Sequence, residues 1–212
     1  MNYFNDVATL ARKDLLLELR ARDTLPAMLL FVVAALVVFH FALPAEAGDL
    51  AGLGLLWVAI IFTALLGLSR AWVAEREQGV LDGLVLSPAD RSAIWVGKAI
   101  SSLAFLVLAE AIALPAFWIF FTGLDAATIA GVLLADIGLC SVGAFVAAMS
   151  TATRARELLL PVLFLPLAIP LVVGGVGSSV VDDPARYLAF LGLYDCLFAT
   201  ICWASFEYVV TE

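Results

Sequence analysis

Six long runs of apolar residues dominate the pattern of hydrophobic and polar positions along the chain. A helix of about 20 mostly apolar residues crosses the roughly 30 Å hydrocarbon core of a bilayer. The runs have this length, so the pattern predicts an all-α membrane protein with six transmembrane helices in one domain, residues 1–212. The predicted spans cover residues 25–43, 50–72, 94–121, 128–150, 158–180 and 187–210.

Prolines interrupt two of the predicted spans. The third span is unusually long and contains Pro115, which predicts a kinked or tilted helix. The fifth span contains Pro161, Pro166 and Pro170 and then a glycine-rich carboxyl end. Because proline removes a backbone hydrogen bond and glycine weakens a helix, we expect that end to be broken or re-entrant.

Residues 1–23 form a more polar segment ahead of the first span. Apolar side chains recur there at near-helical spacing and charged side chains fill other positions. This arrangement predicts an amphipathic helix that lies in the membrane interface. Thr24 and Pro26 are typical of a helix start, so we favour a break before the first span over one continuous helix.

A second polar segment, residues 74–91, separates the second and third spans. Charged residues come first, and apolar residues follow between Gly79, Gly83 and Pro88, which predicts a short helix with an apolar strip. No domain of this chain can cover the strip, so we expect a partner protein at the cytoplasmic face; the alternative is an interfacial loop resting on lipid headgroups. The residues assigned to the partner contact are Glu75, Arg76, Glu77, Gln78, Gly79, Leu81, Asp82 and Leu84.

The basic residues lie almost entirely on one side of the predicted membrane. Ten of the 11 lysines and arginines fall in or beside the amino-terminal segment and the loops after the second and fourth spans. Only Arg186 falls on the other side. Because loops rich in Lys and Arg stay in the cytoplasm, we expect both termini to be cytoplasmic and the protein to lie in a bacterial inner membrane.

The composition agrees with a membrane protein and excludes several functions. Hydrophobic residues make up 64% of the chain and charged residues 14%, whereas soluble domains are about half apolar and one quarter charged. The net charge of −8, without a basic patch, argues against nucleic-acid binding. The chain has no GxxxxGK[ST] loop, so it is not expected to bind ATP itself.

Only one histidine, His40, is present, near the outer end of the first span. With its neighbours in sequence it cannot build a zinc site or a catalytic triad, so no metal site and no catalytic residue are predicted. His40 could ligate haem iron, but a hydrogen bond at the membrane interface is the preferred interpretation.

Three acids lie inside predicted spans: Glu110, Asp136 and Asp195. A charge near the bilayer centre is costly, about 2.5–3.5 kcal/mol on insertion scales. The span boundaries place the three acids at similar depth, where no lysine or arginine is available. We expect them to face the bundle interior or a subunit seam in protonated form. The alternative is that each hydrogen-bonds a neighbouring helix independently, without a transport role.

The layout resembles the membrane subunits of ABC-2 type exporters, which have an amino-terminal helix, six spans and a helical loop after the second span. A closer resemblance is carried by the stretches RKDLLLELRARD (12–23), AEREQGVLDGLVLSPADRSAIWVGK (74–98) and LLLPVLFLPLAIPLVVGGVG (158–177). With these stretches the local sequence resembles the CcmB family, the haem exporter permeases of cytochrome c maturation, over nearly the whole chain.

The resemblance implies a subunit that works with a separate ATPase. In such a system, the amino-terminal helix is an interfacial elbow, and the 74–91 segment is a coupling segment that docks on a CcmA-type ATPase, expected as a dimer, which binds and hydrolyses ATP. The other implied partners are CcmC, CcmD and the haem chaperone CcmE. The chain would then serve either haem export or the release of haem-loaded CcmE from CcmC in the periplasm. A single histidine and short outer loops favour release; no cofactor is assigned to this chain, and a transient contact with haem stays open.

Two other functions compete with this interpretation. A permease of the same ABC-2 type that exports a drug, a lipid or a polysaccharide would share the architecture. An intramembrane enzyme or ion-coupled carrier would use the three acids and leave the 74–91 segment unexplained. We therefore expect a non-catalytic permease subunit of a cytochrome c biogenesis system.

Overall fold

The computed structural model describes residues 3–44, 48–72, 83, 90–121, 124–151 and 156–211. Nearly all of these residues are helical, and no strand occurs among them. The seven helices are α1 (Tyr3–Ala21), α2 (Thr24–Ala42), α3 (Gly48–Arg70), α4 (Arg91–Phe120), α5 (Ala126–Thr151), α6 (Arg156–Val180) and α7 (Ala185–Thr211).

Helices α2 to α7 are each long and apolar enough to cross a membrane, which confirms the six predicted spans. Their bounds differ from the predicted ones by a few residues, chiefly because polar residues such as Arg91 continue the helices beyond the apolar runs. Side chains cap the starts of α4 and α5. Asp90 accepts a hydrogen bond from the Ser92 amide at the start of α4, and Asp125 accepts one from the Thr128 amide at the start of α5.

Helix α6 is continuous, so the prediction of a broken or re-entrant fifth span is wrong. The helix runs through Pro161, Pro166 and Pro170 and through its glycines to Val180. Neighbouring helices and hydroxyl groups can compensate for proline in a membrane helix. Tyr194 of α7 also donates a hydrogen bond to the Leu167 carbonyl at 2.7 Å, which ties α6 to its neighbour between Pro166 and Pro170. Helix α4 likewise runs through Pro115 as a single helix.

The amino-terminal helix α1 is separated from α2 at the position that the sequence indicates. Arg22 has a φ of 58°, a left-handed conformation that ends a helix, and its amide bonds the Glu18 carbonyl at 3.0 Å. Helix α1 packs against α4 through Val7, Ala11 and Asp14. This inward face is narrower than the predicted apolar face, and it includes a charged residue.

Helix α5 occupies the centre of the bundle, where it contacts α3, α4, α6 and α7. It is the most buried of the six spans, whereas α2 and α7 are the least buried. Without a hydrophobic force between helices in lipid, close packing depends on small residues. At Gly175 of α6, for example, an added Cβ would overlap the ring of Trp57 from α3. We call the end of the bundle near α1 the α1 end, and the other end the distal end.

Candidate functional site

The eight residues assigned to partner contact, Glu75 to Gly79 together with Leu81, Asp82 and Leu84, lie outside the described residues. The predicted helix over 74–91 and its apolar strip therefore stay predictions. The structure does describe the residues on either side of this segment. Those flanking residues determine how a movement of the segment would reach the helices.

On the α3 side, the chain leading into the segment is fixed by Trp72. Its indole Nε1 donates a hydrogen bond to the Ala144 carbonyl of α5 at 3.2 Å, and its ring stacks on Phe206 of α7. Trp72 is 3% exposed. The end of α3 is thus attached to the central helix and to α7.

On the α4 side, the chain leaving the segment is fixed by a network of hydroxyl groups. The Ser92 hydroxyl donates to Asp90 Oδ1 at 2.7 Å and lies 3.1 Å from the Tyr3 hydroxyl. The Tyr3 hydroxyl also accepts a hydrogen bond from the Trp203 indole at 3.2 Å. The start of α4 is thus tied to the start of α1 and to α7.

Sequence reasoning missed a buried ion pair beside these flanks. Lys98 of α4 lies 2.9 Å from Asp14 of α1, and both side chains are at least nine-tenths buried. The sequence pattern places Lys98 among the cytoplasmic cations and Asp14 among the charged positions of an interfacial helix. The available signal was a lysine four residues inside a predicted apolar span, where a charge needs a partner.

The three membrane acids lie together in the interior of the bundle. Glu110 of α4, Asp136 of α5 and Asp195 of α7 are 3%, 0% and 7% exposed. Each lies ten residues from the distal end of its helix, which is about 15 Å at 1.5 Å per residue. This is the middle of a hydrocarbon core about 30 Å thick.

Asp136 is the central member of this acid cluster. Its carboxyl group is close enough to those of Glu110 and Asp195 to interact with both electrostatically. A hydrogen bond between two carboxyl groups requires a proton on one of them. Such a proton would relieve the repulsion between Glu110 and Asp136.

No other group compensates the acids in the part of the chain that the structure describes. All six carboxyl oxygens of Glu110, Asp136 and Asp195 lack a hydrogen-bond partner from other side chains or the backbone. Among those same residues, no group of three metal-ligating side chains is placed to hold an ion.

His40 lies far from the acid cluster, at the distal end of α2. Its side chain is exposed, and its ring lies 5.2 Å from that of Phe120 and 5.7 Å from that of Phe121. The three prolines of α6 are likewise separate from the acids along the chain. The structure thus brings the three acids together and places His40 apart from them.

A cavity lies at the α1 end between α1, α2, α3 and α4. It measures about 50 Å³, and its lining includes Asp14, Lys98, Met28, Leu106 and Cys140. This volume suits a few water molecules.

Comparisons with known proteins agree on one family. A family described as CcmB protein matches residues 5–206. The chain is 30% identical over 203 residues to heme exporter protein B of Paracoccus denitrificans, with 92% of each chain covered. It is 32% identical over 175 residues to heme exporter protein B of Pseudomonas aeruginosa, covering 80% of this chain and 78% of that protein. Heme exporter protein B of Bradyrhizobium diazoefficiens is 28% identical over 181 residues, with 82% and 80% covered.

Proposed function

The chain belongs to the CcmB protein family, and from this premise we propose that it is the membrane subunit of an ABC transporter complex for cytochrome c biogenesis. In this complex a separate CcmA-type ATPase binds and hydrolyses ATP. The chain couples that hydrolysis to haem export, or to release of haem-loaded CcmE from CcmC. The chain itself acts as a non-catalytic permease subunit in the bacterial inner membrane.

The observation that carries this proposal is the anchoring of both flanks of the 74–91 segment. Trp72 attaches one flank to α5 and α7, and the Asp90–Ser92–Tyr3 network attaches the other to α1 and α7. A displacement of the segment that reached these flanks would pull on the helices to which they are attached. An ATPase that displaced residues 74–91 on binding ATP would therefore displace α1, α3 and α4 as well, which is what coupling between a remote ligand and the bundle requires.

The acid cluster is proposed as the part of the bundle that responds to this displacement. Glu110 lies on α4, which continues directly from the segment, whereas Asp136 lies on α5. A movement of α4 along α5 would change the contact between the two carboxyl groups. The cluster would then favour one arrangement of the helices while a proton is shared between the two carboxyl groups.

Between the two roles in haem delivery, we favour release of the haem-loaded chaperone. His40 is the chain's single histidine. The exposed His40, with phenylalanine rings beside it, offers at most a transient haem contact at the distal end. Haem bound by CcmC and CcmE would then be handed over without passing through this chain. The prolines of α6 are proposed to supply a deformable element during the movement.

Affinity purification of the tagged chain from its native membrane tests the proposal. Partners are identified by mass spectrometry, and haem is read by absorbance. Recovery of an ATPase together with CcmC, and a haem signal that disappears when CcmC is deleted, is the expected result. Recovery of an ATPase without any cytochrome c maturation protein would instead favour an ABC-2 permease for a drug, lipid or polysaccharide. Recovery without an ATPase would refute the assignment of residues 74–91.

A further inference from the structure

Lys98 contacts two other parts of the chain at once. Its Nζ lies 2.9 Å from Asp14 Oδ2 of α1 and donates a hydrogen bond to the Ala71 carbonyl at 2.7 Å. The side chain of Lys98 is only 5% exposed. Water and salt screen a buried pair much less than a surface pair, so this contact is stronger and more directional than most ion pairs at a helix surface.

The two contacts belong to different structural units. Asp14 lies on the face of α1 that packs against α4, and the helices cross closely there, because a Cβ on Gly97 would lie 2.9 Å from Leu10 Cβ. Ala71 follows the last residue of α3 and precedes Trp72, over whose ring the Lys98 ammonium also lies at 4.9 Å. Lys98 therefore joins α1 to the α3 flank of the 74–91 segment.

A second cation near Asp14 shows why Lys98 is the connecting residue. Lys13 also pairs with Asp14, at 2.8 Å, but it is the adjacent residue of the same helix and is 31% exposed. That pair cannot link two helices. Removing Lys13 would leave the link between α1 and α4 in place, whereas removing Lys98 would break it and also free the Ala71 carbonyl.

We propose that Lys98 is a positioning residue that makes α1 and the α3 flank of the 74–91 segment move as one unit. The proposal rests on the proposed function, because the segment is taken to be the place where an ATPase docks. It adds that α1 is more than an interfacial anchor. When the segment is displaced, Ala71 moves Lys98, and Lys98 moves Asp14 together with α1.

The link within the chain is tested by labelling, without any partner. Val7 lies on the buried face of α1. It is changed to cysteine in a chain in which Cys140, Cys196 and Cys202 are replaced by alanine. Val7→Cys is expected to react with a maleimide at least tenfold faster when Lys98→Met is added. The control variants Lys13→Gln and Lys98→Arg keep the link and should stay within twofold of the parent rate. An unchanged rate in Lys98→Met would overturn the proposal.

Coupling is tested in the complex by comparing ATP hydrolysis with cytochrome c maturation. Lys98→Met and Asp14→Asn are expected to retain the co-purified ATPase and its rate within twofold, while maturation falls at least tenfold. Lys98→Arg should restore maturation, since arginine keeps the charge and several donors.

A paired apolar variant excludes simple misfolding. Asp14→Leu with Lys98→Met leaves no unpaired buried charge, so it is expected to insert in normal amounts. It still lacks the bond to the Ala71 carbonyl and should mature cytochrome c at least tenfold less than the parent. Normal maturation by this double variant would overturn the role of Lys98. Loss of the ATPase from the parent complex would instead overturn the proposed function, because the labelling result does not depend on an ATPase.

Discussion

At the scale of single residues, Asp136 is the most constrained position of the chain. Its carboxyl group is fully buried at the centre of the bundle, between Glu110 and Asp195. The described surroundings offer these oxygens no donor. A hydrogen bond to any of these carboxyl groups would therefore need a proton carried by a neighbouring carboxyl group. A side chain that brings its own donor at position 136 should satisfy Glu110 equally well.

We therefore expect Asp136→Asn to keep or raise the thermal stability of the purified chain in detergent, because its amide N–H groups can donate to Glu110. Asp136→Ala leaves Glu110 unpaired and should lower the free energy of unfolding by about 1–3 kcal/mol. The midpoints of thermal unfolding of both variants and the parent are compared. Equal losses in both variants would show that a charge at position 136 is required for the fold.

Gly138, two residues further along α5, is needed for close packing around the acids. A Cβ at this position would lie 2.6 Å from Asp195 Oδ1 and 2.8 Å from Leu171 Cδ2. Gly138→Ala should therefore destabilise the chain by about 1–3 kcal/mol through overpacking. Gly192→Ala on α7 is the matched control, since nothing lies within 4 Å of its added Cβ and alanine favours a helix. A Gly138→Ala midpoint at or above that of the control would refute the packing argument.

At the scale of the helices, α6 and the 74–91 segment carry the two roles proposed for whole elements. Helix α6 contains three prolines without being broken, so its flexibility has to be tested by function rather than read from its shape. The 74–91 segment has both flanks anchored, and its own contacts to a partner are still a prediction.

Pro166 is exposed on α6, so its replacement removes little packing. Pro166→Ala restores a backbone hydrogen bond and should raise stability by up to about 3 kcal/mol. If the prolines allow α6 to deform, the same variant should lower cytochrome c maturation several-fold. Thermal unfolding is measured on the purified variant, and cytochrome c maturation is measured in the strain that produces it. Full maturation by a stabilised variant would remove the prolines from the mechanism.

Leu81→Asp should separate ATP hydrolysis from haem delivery, because it places a charge in the apolar strip expected to contact the ATPase. Gly79→Pro should do the same by preventing a regular helix. Both variants are expected to insert normally and to lower maturation at least tenfold. Gly83→Ala is the control, as Gly83 is exposed with nothing within 4 Å of an added Cβ. Normal maturation in both Leu81→Asp and Gly79→Pro would contradict the docking assignment.

The six spans could be predicted because an apolar run of sufficient length has almost no other stable arrangement in lipid. The similar depth of Glu110, Asp136 and Asp195 followed from the same spacing. The sequence could not predict that these acids face one another, because the rotation of each helix about its axis depends on its neighbours. The docking of α1 on α4 was also missed. It depends on Gly97 and on the pairing of Lys98 with Asp14, which are far apart in the sequence.

The structure also corrects what the sequence suggested about α6. Proline and glycine predict a helix end in water, because water can bond the backbone groups that a broken helix leaves unpaired. In lipid no water is available to such groups, and α6 stays continuous through its prolines. The prolines and glycines therefore indicated a weaker helix correctly, but the break that they predicted in α6 is absent.

At the scale of the whole molecule, six helices among the described residues are long and apolar enough to span a membrane, and from six spans we expect both termini on one side of it. The α1 end carries α1 and the flanks of the 74–91 segment, while the distal end carries short connections such as residues 181–184. An ATPase can act on the segment only from the cytoplasm. The proposed function therefore requires the α1 end to be cytoplasmic, as the distribution of Lys and Arg predicts.

Labelling of intact cells with a membrane-impermeant maleimide tests this orientation. In a chain with its native cysteines replaced, Val181→Cys at the exposed distal connection should be labelled from outside the inner membrane. Phe4→Cys, on the exposed side of α1, should react only after the membrane is permeabilised. The reverse pattern would place the 74–91 segment away from ATP. Coupling to a cytoplasmic ATPase would then be impossible, whatever the family membership, and the acid cluster would have to act in a carrier that needs no ATPase.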